Sequence, residues 1–332
     1  MATTATSASD LTVIESGPRL GPWPRFILRR AIGLAGVLIT LLLITFMLIH
    51  LVPGDPAVRA AGVEATEEHI EFLREDLGLN RPIPEQFINY VERVARLDFG
   101  NSFITKEPVS KIIADRFPKT AQLAAVALAL VLIISIPFGI IAGAITREGR
   151  NQRFEMVFMA VTGVGGAVPE FLTGTLLAFF FAVILRWLPV GGANKPESII
   201  LPALAISIRS VALYSRIVRL ETLNVLAQDY IRTARSKRLP PYLLYLRHIL
   251  PNVLTSALTI GGLLFAGLLG GTVIVENVFA WPGLGTQVVK AVLSLDYPVI
   301  QGAVLYFGLI VVLINTIVDV LLVVVDPRSL VE

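Results

Sequence analysis

The chain has 332 residues, of which 55% are hydrophobic and only 16% charged, with a formal net charge of +3. An ordinary soluble domain is about 45–50% apolar and about 25% charged, and here the apolar residues fall in runs long enough to cross a hydrocarbon core of about 30 Å. The composition therefore describes an integral membrane protein and excludes the length-based domain count used for soluble chains.

Cysteine is absent, which excludes a disulfide framework and a thiolate metal site. His50, His69 and His248 are too scattered to form a metal motif. None of the six lysines follows a glycine, so the usual phosphate-cradling G-x-x-x-x-G-K-[ST] loop for ATP is missing. No heptad or solenoid repeat is apparent.

Residues 1–25 are polar or contain Pro and Gly, and read as an N-terminal tail. The first apolar run, 26–52, is too long for the apolar region of a secretory signal. It ends in Pro53-Gly54-Asp55-Pro56, which is no small-residue cleavage site, so it reads as an uncleaved first span. A polar segment follows over 53–118. Within it, Thr66-Glu67-Glu68 opens a helical pattern with Ile70, Leu73 and Leu77 on one face and Gly78 as its stop. Pro84 to Leu97 carries Phe87, Tyr90, Val91 and Val94 at helical spacing. These patterns predict a small helical cap, too short for an independent enzyme.

The second span is expected near Thr120 to Ile145. The third apolar stretch, 156–188, is too long for one straight crossing and is interrupted by Gly163, Gly165, Gly166 and Pro169. Its crossing is placed near 168–187, after an interfacial or half-inserted piece. A fourth span is expected near 200–219, a fifth near 254–276 and a sixth near 302–325, each helical because a backbone in lipid must satisfy its own hydrogen bonds.

Lys and Arg near the span ends set the direction. Arg25, Arg29 and Arg30 precede the first span, and Arg147, Arg150 and Arg153 lie between the second and third. Between the fourth and fifth, residues 216–250 carry seven cations (Arg216, Arg219, Arg232, Arg235, Lys237, Arg238 and Arg247) against Glu221 and Asp229. Residues 53–117 instead hold eight Lys/Arg against twelve Asp/Glu. Six spans, both termini cytoplasmic and one extracytoplasmic helical domain at 53–118 satisfy every loop, with 327–332 as the C-terminal tail.

Charges inside the bilayer are costly unless they face protein or water. Glu170, Arg209, Glu276 and Asp319 fall within or at the edge of the spans. They are candidates for a pathway or gate, or else structural pairs or snorkelling side chains. Glu276 favours a structural role with the Trp281-Pro282-Gly283 turn. Gly261-Gly262, Gly267 and Gly270-Gly271 make the fifth span slim, which suits close helix packing and equally a sliding gate contact.

Residues 230–252, YIRTARSKRLPPYLLYLRHILPN, form the basic loop between spans four and five. Asp229 is expected to cap a helix that starts at Tyr230. Pro240-Pro241 forbids simple continuation, and a second amphipathic piece, 242–249, should stop before Pro251. One reading is a solvated basic loop attracted to anionic lipid. The small Thr233-Ala234-x-Ser236 face, expected to be exposed, points instead to insertion into a partner's groove.

This loop resembles the E-A-A-x-x-x-G-x(9)-I-x-L-P coupling motif of ATP-binding-cassette (ABC) importer permeases. Aligned on Leu250-Pro251, Thr233-Ala234 take the small positions, Arg238 the glycine and His248 the isoleucine, while Arg232 replaces the initial Glu. LVPGDPA at 51–57, LREDLGLNRPIPEQ at 73–86, LDFGNSF at 97–103 and PVSKIIADRFPKTAQL at 108–123 are similar to the N-terminal half of the dipeptide/oligopeptide (and nickel) permease family. QDYIRTARSK at 228–237, VENVFAWPGLG at 275–285, DYPVIQG at 296–302 and DPR at 326–328 are similar to its C-terminal half. The long segment after the first span resembles the B-type subunit.

The resemblance implies an all-α, six-span permease of the type I ABC importer kind in the bacterial cytoplasmic membrane. Its permease core would be 119–326, with the coupling loop at 221–252. It implies a transport subunit rather than an enzyme, with no cofactor of its own and with ATP and Mg bound on partners. Those partners would be a sister permease, two ATP-binding subunits or one two-domain ATPase, an extracytoplasmic substrate-binding protein and the lipid bilayer, with no nucleic acid. Thr233, Ala234, Arg235, Ser236, Lys237, Arg238, His248, Leu250 and Pro251 would dock the ATPase, with His248 as a structural hydrogen-bonder rather than a pH switch. Leu250-Pro251 would end the second coupling helix and start the turn into span five. Two alternatives stay open: an ion-gradient-driven secondary transporter with midplane carboxylates, and the same ABC architecture carrying nickel, haem or another small ligand.

Overall fold

The computed structural model describes residues 22–51, 54–62 and 65–325. Most of the expected N-terminal tail, the C-terminal tail and the DPR string lie outside the described residues. Among the described residues the chain is helical, and an isolated antiparallel bridge joins Asn101 and Pro108.

Helix α1, Pro22–Leu51, is the first span. Three short helices follow: α2 (Pro56–Ala61), α3 (Glu67–Asp76) and α4 (Ile83–Ala95). Their starts obey local chemistry. The Asp55 carboxylate accepts the Ala57 N–H at 2.8 Å, and the Thr66 hydroxyl accepts the His69 N–H at 3.4 Å, each satisfying an orphan donor of a first turn. Arg74 of α3 pairs with Asp55 at 2.5 Å and also with Glu71, clipping α3 to α2.

This segment is seated on the spans by polar contacts. The Tyr90 and Thr45 hydroxyls lie 2.9 Å apart, and Gln301 donates to the Thr45 carbonyl at 2.7 Å. Phe46, Tyr90 and Leu305 form a small core around them. Burial pushes the Tyr90 phenol up to about 12, although the Thr45 hydroxyl opposes the shift. A second anchor is the buried Asp296 carboxylate, which accepts from Ser102 Oγ at 2.5 Å and from the Phe103 N–H at 2.9 Å.

Helix α5 spans Val109–Ile145, 37 residues with Pro118 and Pro137 inside, so the second span starts earlier than its apolar run suggested. It packs along α8, Ile200–Leu226. Gly139 and Gly143 permit the approach: an added Cβ would lie 2.6 Å from Val218 and 2.8 Å from Thr222. Small residues at such crossings are the general device of membrane helix packing.

Between them, α6 (Gln152–Ala167) and α7 (Glu170–Leu177), extended by a π-helical stretch over Ala178–Ile184, meet at a 93° bend. Val168 and Pro169 are the break, as the glycines and proline of this stretch led one to expect. Among the described residues, five helices are long and apolar enough to cross a membrane, and six if this bent pair is one span.

The loop after α8 begins later than expected. α8 continues to Leu226, so Arg216, Arg219 and Glu221 are helical residues rather than loop charges. Helix α9 is Asp229–Ser236, with Gln228 in the cap position. Asp229 is therefore the first helical residue and not the cap; its negative charge in the first turn still suits the helix dipole.

α10, Pro241–Leu243, passes through a π-helical turn at Leu244–Ile249 directly into α11, Leu250–Val278. The expected stop at Leu250-Pro251 is absent. The wider π turn just before Pro251 re-registers the carbonyls that the proline, lacking an N–H, leaves without a donor. The second coupling piece and span five are one continuous helical rod. The chain then forms α12, Leu284–Ser294, and α13, Tyr297–Val325. Gly262 lets α11 meet α13, where any Cβ would overlap Val318.

Candidate functional site

Helix α9 is strongly two-faced. Ile231 and Ala234 are buried, Leu239 is half-buried behind them, and all three pack on Leu244, Ile249 and Val253 and on Val225 and Leu226 at the end of α8. Ala234 is only 6% exposed, so it does not lie on the free face assigned to it from sequence. The reason is periodicity: three residues after Ile231, it shares the apolar stripe. Arg232, Thr233, Ser236, Lys237 and Arg238 are exposed, and Arg235 is half-buried.

The turn after α9 gives the missing glycine a structural answer. Arg238 adopts φ +53°, the left-handed conformation for which glycine is preferred. Its N–H donates to Arg235 O at 2.8 Å, and the Leu239 N–H reaches back to Ala234 O at 3.4 Å. This is a Schellman cap, with Leu239 supplying the apolar contact that accompanies it. Arginine therefore holds the turn that glycine would hold, at a cost of roughly 1–2 kcal/mol. Pro240 then takes the N-cap position and Pro241 the first turn of α10, where proline's fixed φ is compatible with helix.

The second coupling piece adds residues that sequence reasoning missed. Tyr242 and Leu246 are 64% and 62% exposed. Their spacing of four places them on one face, and that spacing was the signal available in the sequence. His248 and Leu250 are half-buried, Pro251 is exposed, and the His248 carbonyl accepts from Asn252 Nδ2 at 2.6 Å. Beside α9, the turn after α5 supplies Arg147 and Arg150. The Arg147 guanidinium holds the Glu148 carboxyl below its ordinary range, with smaller contributions from Arg150 and Arg232. Cations from two loops thus share one electrostatic neighbourhood.

Two further arginines, counted from sequence only as loop charge, staple α6 to α8. Arg219 is 4% exposed; it donates to Thr146 Oγ1 at 3.0 Å and to Glu155 at 2.5 Å, and lies over the Phe158 ring at 5.9 Å. Arg216 donates to Thr162 Oγ1 and to the Met159 carbonyl, both at 2.8 Å. These contacts fix the end of α8 from which the α9–α10 loop departs.

The four intramembrane charges separate into two classes. Glu276 is 0% exposed and accepts from Thr120 Oγ1 at 2.6 Å and from the Thr286 N–H at 3.0 Å. Thr120 also accepts the Leu284 N–H, and Trp281 Nε1 donates to Lys119 O. Glu276 thereby clamps the turn at 279–285 to α5. Asp319 pairs with Arg30 at 2.5 Å, joining α13 to α1 as a structural pair. Glu170 and Arg209 differ: Glu170 is half-buried at the start of α7, and Arg209 is exposed on α8.

Comparison with known proteins matches this architecture along nearly its whole length. Residues 135–331 match the family model described as binding-protein-dependent transport system inner membrane component. The chain belongs to that family. Residues 24–124 match the companion model for the N-terminal part of such membrane components. Among relatives of this permease family, a Brucella suis protein provisionally named a peptide transport system permease protein is 39% identical over 310 residues, covering 91% of this chain and 98% of the relative. The glutathione transport system permease protein GsiC of Pectobacterium atrosepticum is 41% identical over 302 residues, covering 91% and 97%. The membrane fold is that of the solved MetNI methionine ABC transporter in inward-facing conformations, with TM-score 0.55 and 16% identity over 66% of this chain and 96% of that one.

The permease is thus a multi-pass inner-membrane subunit of an ABC importer. Family membership favours this reading over an ion-gradient-driven transporter.

Proposed function

We propose that this permease forms half of the translocation pathway of an ATP-driven peptide importer and couples ATP hydrolysis on partner subunits to alternating access. The observation that carries the proposal is the construction of the α9–α10 loop. Its apolar face is cemented to both α8 and α11, while its other face presents cations and the Tyr242–Leu246 pair. A push on that exposed face reaches α11 without passing through a flexible joint, because α10 and α11 are one rod. Such a bistable assembly, biased by a ligand bound on another chain, is the physical content of coupling.

In this reading both termini and the loop are cytoplasmic, and residues 54–108 lie outside, where a substrate-binding protein delivers cargo. The partners are a sister permease and two ATP-binding subunits or one two-domain ATPase, which hold the ATP and Mg. Thr233, Arg235, Ser236, Lys237, Arg238, Tyr242 and Leu246 form the contact. Ala234 supports it from beneath, as do His248, Leu250 and Pro251 at the head of the rod. Relatives named for peptide and glutathione transport support peptides as the cargo class.

Reconstitution into vesicles with and without the ATP-binding partners tests the proposal. Peptide uptake should require ATP, the ATPase and the binding protein. Uptake driven by an ion gradient with no ATPase present would refute it.

A further inference from the structure

Arg209 stands apart from Glu276 and Asp319. It sits nine residues into α8, about 14 Å along the helix axis, well inside the apolar span. Its side chain is nonetheless exposed, and it makes no hydrogen bond or ion pair among the described residues. Arginine facing lipid at such depth is costly, so this surface faces water or protein. Structural pairs in the same molecule look different: Arg219 is buried with Glu155, Asp319 is paired with Arg30, and Glu276 is enclosed by donors.

Glu170 is the first residue of α7, at the 93° break; α7 runs antiparallel along α8 with Gly174 against Ala205, which sets Glu170 level with Arg209. Glu170 Oε2 lies over Gly271 of α11, only 2.9 Å from where a Cβ would stand. Gly270, next to it, and Gly267, one turn away, are exposed, and an added Cβ at either would have no atom within 4 Å. The Glu170 carboxylate, not closed into an ion pair with Arg209, therefore borders a strip of bare helix backbone on α11. Elsewhere the same surface is apolar, with Ile208 and Ile274 exposed.

We propose that Glu170 and Arg209 form a two-sign contact for the charged ends of the passing peptide, Arg209 taking the terminal carboxylate and Glu170 the terminal ammonium. The inference rests on the peptide-importer reading and adds to it a preference for zwitterionic short peptides. A planar guanidinium suits a carboxylate bidentately, and a short peptide spans at most about 3.6 Å per residue, so both ends fall within one contact region. The absence of side chains at Gly267 and Gly270 leaves room for peptide side chains of any kind. With no cargo present, each member offsets the other's charge, so the empty pathway carries no isolated ion.

The test uses the complete reconstituted importer and matched peptides, free, C-terminally amidated or N-acetylated, that the binding protein is first shown to hold. Arg209→Gln should lower uptake of free-carboxylate peptides about tenfold, the scale of a lost hydrogen bond to a charged group, while amidated peptides change little. Glu170→Gln should do the same for free-ammonium peptides relative to acetylated ones. Arg209→Lys should preserve the preference for a free carboxylate.

Equal loss for free and capped peptides, or no loss, would overturn the proposal. So would failure of Arg209→Gln to assemble with the sister permease, since that would assign Arg209 to the interface between the two permeases. Failure of the peptide-importer reading looks different: the unsubstituted complex would then take up no peptide at all with ATP.

Discussion

The left-handed Arg238 gives the most discriminating test of how the docking loop is built. Replacing it with glycine removes a conformational penalty of roughly 1–2 kcal/mol, offset by about 0.5–1 kcal/mol for the greater freedom of glycine in the unfolded loop. The net expectation is a gain of about 0.5–1 kcal/mol in local stability. Arg238→Ala removes the same exposed charge but keeps a Cβ in the left-handed region, so it should gain nothing.

The reporter is the Leu239 amide, which donates to the Ala234 carbonyl across the cap. Hydrogen exchange of peptides covering 229–245 in the detergent-solubilised complex should slow about two- to fivefold in Arg238→Gly, since 1.4 kcal/mol is a factor of ten in an equilibrium constant. It should stay unchanged in Arg238→Ala. If the two substitutions alter exchange equally, the effect is electrostatic and the cap argument fails. If glycine accelerates exchange, the arginine side chain itself holds the turn.

Four other outcomes follow from the geometry. Ala234→Phe should overpack the face beneath α9 and destabilise the loop by about 1–3 kcal/mol; lowered recovery of the ATPase with the purified complex checks it, whereas Arg235→Glu with Lys237→Glu should weaken docking and leave the fold of the permease intact by circular dichroism. Glu276→Ala should strand the buried donors of Thr120 and Thr286 at about 1–3 kcal/mol each, and an unchanged thermal midpoint in detergent would contradict the clamp. Arg74 and the Ala57 N–H hold the Asp55 carboxyl below its ordinary value. Because the folded pKa is depressed, this stabilisation is fully present above the unfolded value of about 3.9 and is lost as pH falls through the folded pKa. Exchange protection of α2 and α3 should therefore fade on acidification below pH of about 4, and Arg74→Met should move that loss to higher pH.

Much of the fold was legible because its causes are local. A run of apolar residues as long as 26–52 has one stable arrangement in a bilayer, and Pro169 disfavours helix at the residue before it, ending α6 at Ala167 although Gly163, Gly165 and Gly166 stay helical. Thr66 caps α3 for reasons confined to four residues. The basic loop was recognisable by its resemblance to a family motif, although the conformation of Arg238 was not, since arginine has no intrinsic preference for positive φ and the turn is imposed by the apolar contacts on either side. Pro251 misled for a related reason: a proline argues for a stop, and the π turn ahead of it is decided by packing.

Sequence by itself determined the membrane class, the approximate spans, the break in the third and the family-like loop, because hydropathy, helix period and turn chemistry act over a few residues. Tertiary structure alone decided which partners the intramembrane charges meet. Thr120, 156 positions away, donates to Glu276, and Arg30 stands beside Asp319. Ala234 looked exposed until Leu244, Ile249 and Val253 were seen to cover it. The cost of a buried charge or the freedom of a small face depends on which distant atoms arrive, and no local pattern encodes that.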